Sequence, residues 1–137
     1  MCTTFDIQLP DYGRGYHLVT ADIMRQIEVL PRNGVMVLFI KHTSAALTLN
    51  ENADPGVRDD FNTFFDRLVP DGAGYFTHTM EGEDDMPAHV KASLLGASVT
   101  IPIREGRLNL GTWQGVYLCE FRNYGGSRNV SVTIIGE

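Results

Sequence analysis

Six consecutive apolar residues, Val35-Met36-Val37-Leu38-Phe39-Ile40, constrain the architecture of this chain more than any other segment. The run is far below the roughly 20 residues that span a bilayer as a helix. It shows no polar alternation, and at this length that pattern predicts a strand covered on both faces. Such a strand needs paired neighbours on each side and a packed layer above and below it.

Further strands are visible as period-2 alternation. Phe5, Ile7 and Leu9 alternate with Thr4, Asp6 and Gln8, and Pro10 and Gly13 end that segment. Ala45, Leu47 and Leu49 form another strand after the polar break Lys41-His42-Thr43-Ser44. Val99, Ile101 and Ile103 alternate with Ser98, Thr100 and Pro102, the proline predicting an edge position or a bulge. Glu105-Gly106 turns the chain toward Leu108 and Leu110. Val116 to Arg122 and Val130 to Ile135 read as a closing hairpin around Asn123-Tyr124-Gly125-Gly126-Ser127.

Three helices interrupt this pattern. Thr20 can cap one carrying Ile23, Met24, Ile27 and Leu30 on one face, stopped by Pro31 and Asn33-Gly34. Asp54-Pro55 pairs a capping carboxylate with proline at the first helical position, and Val57, Phe61, Phe64, Phe65 and Leu68 then make an apolar stripe. A third helix runs from Met86 to Leu95, with Asp85 as its cap and Gly96 as its stop. About seven strands with two to three helices inserted, and no strict β-α alternation, predict an α+β domain on mainly antiparallel sheets.

With 137 residues, 43% of them apolar and 20% charged, the chain has room for one hydrophobic core and one domain over residues 1–137. A net charge of −6 argues against nucleic acid as the main partner. No membrane span is expected, and the first residues lack a basic stretch followed by an apolar core, so a cytoplasmic location is expected. Cys2 and Cys119 lack the spacing of zinc or redox motifs and read as free thiols.

Side chains that can do chemistry lie in separate segments. His42 ends a buried strand, His78 lies on a loop, and His89 falls in the first turn of the third helix. Three neutral imidazoles with one open position can hold a zinc ion whose bound water becomes a nucleophile. No H-E-x-x-H pair is present, so the fold must assemble them; a lone histidine such as His42 is more often a hydrogen-bonded structural residue than a ligand. The acidic tract Glu81 to Asp85 is either a solvated helix cap or a set of oxygen ligands for zinc or magnesium. Trp113, flanked by Thr112 and Gln114 in Gly111-Thr112-Trp113-Gln114-Gly115, is either a core residue at a bulge or a flat face for a planar ligand. Glu120, Arg122 and Arg128 are either a cross-strand ion pair or a ligand surface in which Arg128 takes a phosphate.

Three segments taken together are far more specific than any one. They are His42-Thr43-Ser44-Ala45 running on to Leu49-Asn50-Glu51-Asn52 and Asp54-Pro55; Glu81-Gly82 with Asp84 through His89; and Gly106 through Gly115. With these the chain resembles the YjbQ-like family over essentially its whole length. The resemblance implies a trimeric β-sandwich and a secondary thiamine-phosphate synthase activity, which joins a hydroxymethylpyrimidine diphosphate to a thiazole phosphate with loss of diphosphate. It also implies one site, with His42, His78, His89, Asp85 and Glu120 catalytic and Ser44, Asn50, Glu51, Trp113, Gln114 and Arg128 against a small phosphorylated metabolite. His42, His78 and His89 would hold a divalent metal, zinc or magnesium, or an anion. Two other readings stay open: metal-assisted hydrolysis of a small metabolite, and a trimeric ligand-binding module without catalysis.

Overall fold

A computed structural model describes residues 1–137. Eight strands form two antiparallel sheets, and three helices are inserted between them. The strands are β1 (Cys2–Leu9), β2 (Gly15–Leu18), β3 (Asn33–Ile40), β4 (Ala45–Glu51), β5 (Ser98–Arg104), β6 (Arg107–Leu108), β7 (Gln114–Glu120) and β8 (Arg128–Gly136); the helices are α1 (Thr20–Met24), α2 (Pro55–Leu68) and α3 (Asp85–Leu95). One sheet has the order β1-β8-β3-β5-β6 and the other β2-β7-β4. The α+β antiparallel sandwich is therefore as expected, with one strand more than the seven anticipated.

The apolar halves of the alternating strands meet between the sheets. Ile7 and Leu9 of β1, Met36, Leu38 and Ile40 of β3, Ile101 and Ile103 of β5, and Val130, Val132 and Ile134 of β8 face Leu47, Val116 and Leu118 of the smaller sheet. Full burial of a side chain such as Leu38 contributes about 1.5–3 kcal/mol. The smaller sheet is also covered on its other face. There Tyr16, Ala46, Tyr117, Cys119 and Phe121 pack with Ala88 and Ala92 of α3, and with Phe61 and Phe65 of α2.

The strand covered on both faces is thus β7, where Val116 and Leu118 enter one core and Tyr117 and Cys119 the other. The apolar run of β3 is central in its sheet but covered on one side only: Met36, Leu38 and Ile40 are buried, while Phe39 on the opposite face is 48% exposed. Run length alone does not distinguish the two cases, because β7 ends on a charged residue, Glu120, that the fold buries and β3 contains an apolar residue, Phe39, that it leaves exposed.

Two other expectations change. Helix α1 ends at Met24, its last i to i+4 bond donated by the Arg25 N–H to the Ala21 carbonyl; i to i+3 bonds carry Gln26 and Ile27, and Thr20 is the first helical residue, its hydroxyl accepting from Val116 N–H at 2.9 Å instead of capping. The segment between β7 and β8 is not a hairpin turn. β7 pairs with β2 and β4, and β8 pairs with β1 and β3, so residues 121–127 cross from one sheet to the other. That crossing carries Arg122 toward the N-terminus of α3, and the site depends on it.

Candidate functional site

The sequence starts α3 on two carboxylates, Asp84 and Asp85. Asp84 takes the N-cap position without a side-chain capping bond, and Asp85 is inside the helix. The spacing of four from Asp85 to His89 places both on one helical face. His89 Nε2 lies 3.0 Å from Asp85 Oδ2, and His78 Nε2, from the preceding loop, lies 2.6 Å from the same oxygen. Asp85 is thus not the helix cap but the carboxylate shared by two imidazoles, and its side chain is only 5% exposed.

Arg122 orients that carboxylate. Its Nη1 donates to Asp85 Oδ1 at 2.6 Å, its Nε to Asp84 Oδ2 at 2.9 Å, and its Nη2 to the Glu81 carbonyl at 3.0 Å. The Asn123 N–H adds a further bond to Asp84 Oδ2 at 3.0 Å. Burial pushes both carboxyls up. Hydrogen bonding outweighs it, from His78 onto Asp85 and from the Asn123 amide and Arg122 onto Asp84, so both groups lie below the usual carboxylate range.

The tautomers follow from the partners. His89 Nδ1 is 2.8 Å from the Thr43 carbonyl, which only accepts, so Nδ1 carries a proton. Its Nε2 then faces Asp85 Oδ2 either with a second proton or with a lone pair. In the second case two electron-rich atoms 3.0 Å apart require a cation between them. His78, Asp85 and His89 offer ligand atoms that all lie within 4.8 Å of one another. This donor set fits a divalent ion: one carboxylate oxygen, one imidazole pinned through its other nitrogen to a carbonyl, and a half-exposed imidazole on a loop. Two nitrogen ligands favour zinc or a similar transition metal over magnesium.

His42 stands apart from this trio. It follows β3, and its Nε2 accepts the Asn129 N–H at 2.8 Å. It does share a hollow of about 490 Å³ with His89, while His78 lines a second hollow of about 340 Å³. Both volumes suit a small metabolite.

Ser44, Glu120 and Arg128 form a buried cluster beside the trio. Arg128 donates from Nε to Glu120 Oε1 at 2.7 Å and from Nη2 to Glu120 Oε2 at 2.5 Å and Ser44 Oγ at 3.0 Å. Glu120 is 1% and Arg128 5% exposed. Glu120 Oε2 also accepts the Arg122 N–H at 3.1 Å. The residues make a closed circuit: Thr43 holds His89, Ser44 holds Arg128, Glu120 holds the Arg122 backbone, and Arg122 holds Asp85. The Thr43 carbonyl is the one member that residue type does not single out; Arg122 and Asp84 are candidates by residue type, but not as partners of each other and of Asp85. Glu120 and Arg122 share a parity that suggested a strand face, but the sheet crossing that turns Arg122 to α3 leaves no local pattern.

Asn50, Glu51, Trp113 and Gln114 lie elsewhere. They occupy the far end of β4 and the adjoining loop, about 20 Å along the strand from Ser44 at a strand rise of about 3.3 Å per residue. Gln114 Oε1 accepts the Gly111 N–H at 2.8 Å, Asn50 Oδ1 accepts the Glu51 N–H at 2.8 Å, and Asn52 N–H donates to the Trp113 carbonyl at 2.9 Å. These bonds shape the loop and leave Trp113 65% exposed, not in the core.

Residues 5–137 match the family model described as UPF0047 protein YjbQ-like. A UPF0047 protein YjbQ of Escherichia coli O157:H7 is 52% identical over 127 residues, covering 91% of each chain, and that of Salmonella typhimurium is 50% identical over 133 residues, covering 96% of each. Among solved structures, a conserved hypothetical protein of Thermus thermophilus superposes with TM-score 0.84 at 30% identity, over 96% of this chain and 99% of that one. A Clostridium acetobutylicum member of the yjbq/upf0047 family gives TM-score 0.79 at 36% identity over 96% and 99%.

Proposed function

The chain belongs to the YjbQ-like UPF0047 family, and from its geometry we propose an enzyme that uses a His78–Asp85–His89 metal centre on a small phosphorylated metabolite. The observation that carries this reading is the carboxylate of Asp85 shared by two imidazoles and anchored from behind by Arg122. His78, Asp85 and His89 would hold the ion, leaving a coordination position for substrate. A divalent ion bound there supplies Lewis-acid stabilisation of a phosphate or diphosphate group.

The chain's own residues define the rest. Two carboxylates in direct contact with Arg122 leave one formal negative charge; a divalent ion among neutral imidazoles makes the local sum positive and suits an anionic substrate. Thr43 and Asp85 fix the His89 ring, and the hollows lined by His89 and by His78 are open to substrate. The reaction is a thiamine-phosphate-synthase-type transfer, in which the thiazole nitrogen takes the pyrimidine methylene carbon and diphosphate leaves. The assembly is a homotrimer, as the family resemblance implies; association between copies is supported by the outer face of β3, where Phe39 and Ile135 are exposed beside half-buried Val35 and Val37.

Supplying hydroxymethylpyrimidine diphosphate and thiazole phosphate to the zinc-loaded or magnesium-loaded protein tests this. Thiamine phosphate and diphosphate should appear together, and His89→Ala and Asp85→Asn should abolish both. Hydrolysis of a phosphorylated metabolite without coupling would favour a metal-assisted hydrolase, which the same trio and open position also suit. No turnover with either class would leave a ligand-binding module.

A further inference from the structure

We propose that His42 is a neutral hydrogen-bond donor, its Nδ1–H presented to a phosphate oxygen of the ligand in the hollow it shares with His89. The protonation state follows from geometry. Backbone N–H groups only donate, so the 2.8 Å bond from Asn129 N–H requires a lone pair on His42 Nε2. An imidazolium has none; the ring is therefore neutral with its proton on Nδ1. Burial and the charges of Arg128 and Lys41 act the same way, lowering the His42 pKa against the opposing pull of Glu120.

Nδ1 has no hydrogen-bond partner within the chain, and it is not sealed from solvent: the Tyr16 hydroxyl is the single side-chain polar atom that is both buried and unpartnered. The ring lines the hollow of about 490 Å³ together with Thr43, His89, Ser93 and small residues at the end of α3. No acidic side chain lines it, although the chain carries 17 Asp and Glu residues and a net charge of −6. A hollow that offers the unpaired His42 N–H beside a threonine, with no carboxylate in its lining to repel negative charge, suits an anionic oxygen acceptor.

This assignment rests on the proposed phosphorylated substrate, and it separates His42 from the metal: the ring binds and orients, whereas His78, Asp85 and His89 hold the ion. The occupied Nε2 also keeps His42 from serving as a general base through that atom.

Long-range 1H–15N correlation spectra of the 15N-labelled, metal-stripped protein test it without turnover. His42 should show a protonated Nδ1 and an unprotonated Nε2, and inorganic diphosphate should shift its Nδ1 resonance. His42→Ala should weaken diphosphate binding about tenfold, the loss of one hydrogen bond to a charged group, and His42→Asn, which keeps an N–H at the δ position, should recover most of it. A protonated Nε2 would overturn the assignment. So would the expected tautomer with a His42 signal that diphosphate leaves unmoved, and that outcome would leave the metal centre standing.

Discussion

Replacing Arg128 by Met should cost the fold about 3–5 kcal/mol, because it strands a carboxylate the structure has no other means of neutralising. Glu120 is 1% exposed and receives two hydrogen bonds from Arg128 and one from the Arg122 N–H. In Arg128→Met only the backbone donor remains, and Ser44 Oγ also loses its partner. A chain of this length has a total stability of roughly 7–20 kcal/mol at about 0.05–0.15 kcal/mol per residue, so the loss is a large fraction of it. At about 3–5 °C per kcal/mol for this size, the melting midpoint should fall by about 10–20 °C. Urea unfolding followed by far-UV circular dichroism measures the change. The double variant Glu120→Leu with Arg128→Met should be more stable than Arg128→Met alone, since a packed apolar pair carries no desolvated charge. A single variant that loses less than about 1 kcal/mol, or a double variant worse than the single one, would refute the view that pairing, and not burial of either group by itself, holds this corner together.

Other outcomes follow from the same circuit. A Cβ on Gly125 would collide with the Glu120 carboxylate, so Gly125→Ala should destabilise the protein in urea unfolding, and the increment it adds should be smaller in a Glu120→Ala background, where the obstruction is gone. The lowered His42 pKa means that folding favours the neutral ring. As pH falls below about 6.5 the unfolded chain takes up a proton that folded His42 refuses, so stability should decline in that window, and the decline should be shallower in His42→Gln. Asp84 and Asp85 have lowered pKa values, a contribution present above about pH 4 and lost as pH falls through their folded values; Arg122→Gln should weaken it and loosen the start of α3, measurable as faster amide hydrogen exchange there.

Much of this architecture is legible along the chain because local chemistry and burial agree. Asp54-Pro55 does start α2, with Asp54 Oδ1 accepting the Gly56 N–H at 2.8 Å, and Gly96 ends α3 at a φ of 105°. Phe5, Ile7 and Leu9 share the inner side of β1, as alternation predicts. The failures share a cause: which sheet a strand joins is a long-range property. Gly125-Gly126 has hairpin chemistry whether the chain returns to the same sheet or crosses, and the buried Glu120–Arg128 pair that accompanies the crossing reads locally as two ordinary surface charges. His78, Asp85 and His89 were legible as candidates from residue type, and Asp85 to His89 from helical spacing. That His42 spends its Nε2 on Asn129, 87 residues away, depends on the approach of β8 to the end of β3.

The metal centre is tested most directly by equilibrium titration of the metal-stripped protein with cobalt(II), read by absorbance and by metal content after dialysis. The account predicts one ion per chain, a visible spectrum of low-coordinate nitrogen and oxygen ligation, and loss of both in Asp85→Asn and His89→Ala with His42→Ala unaffected. Binding that survives Asp85→Asn, or wild-type protein that holds no ion, would contradict it.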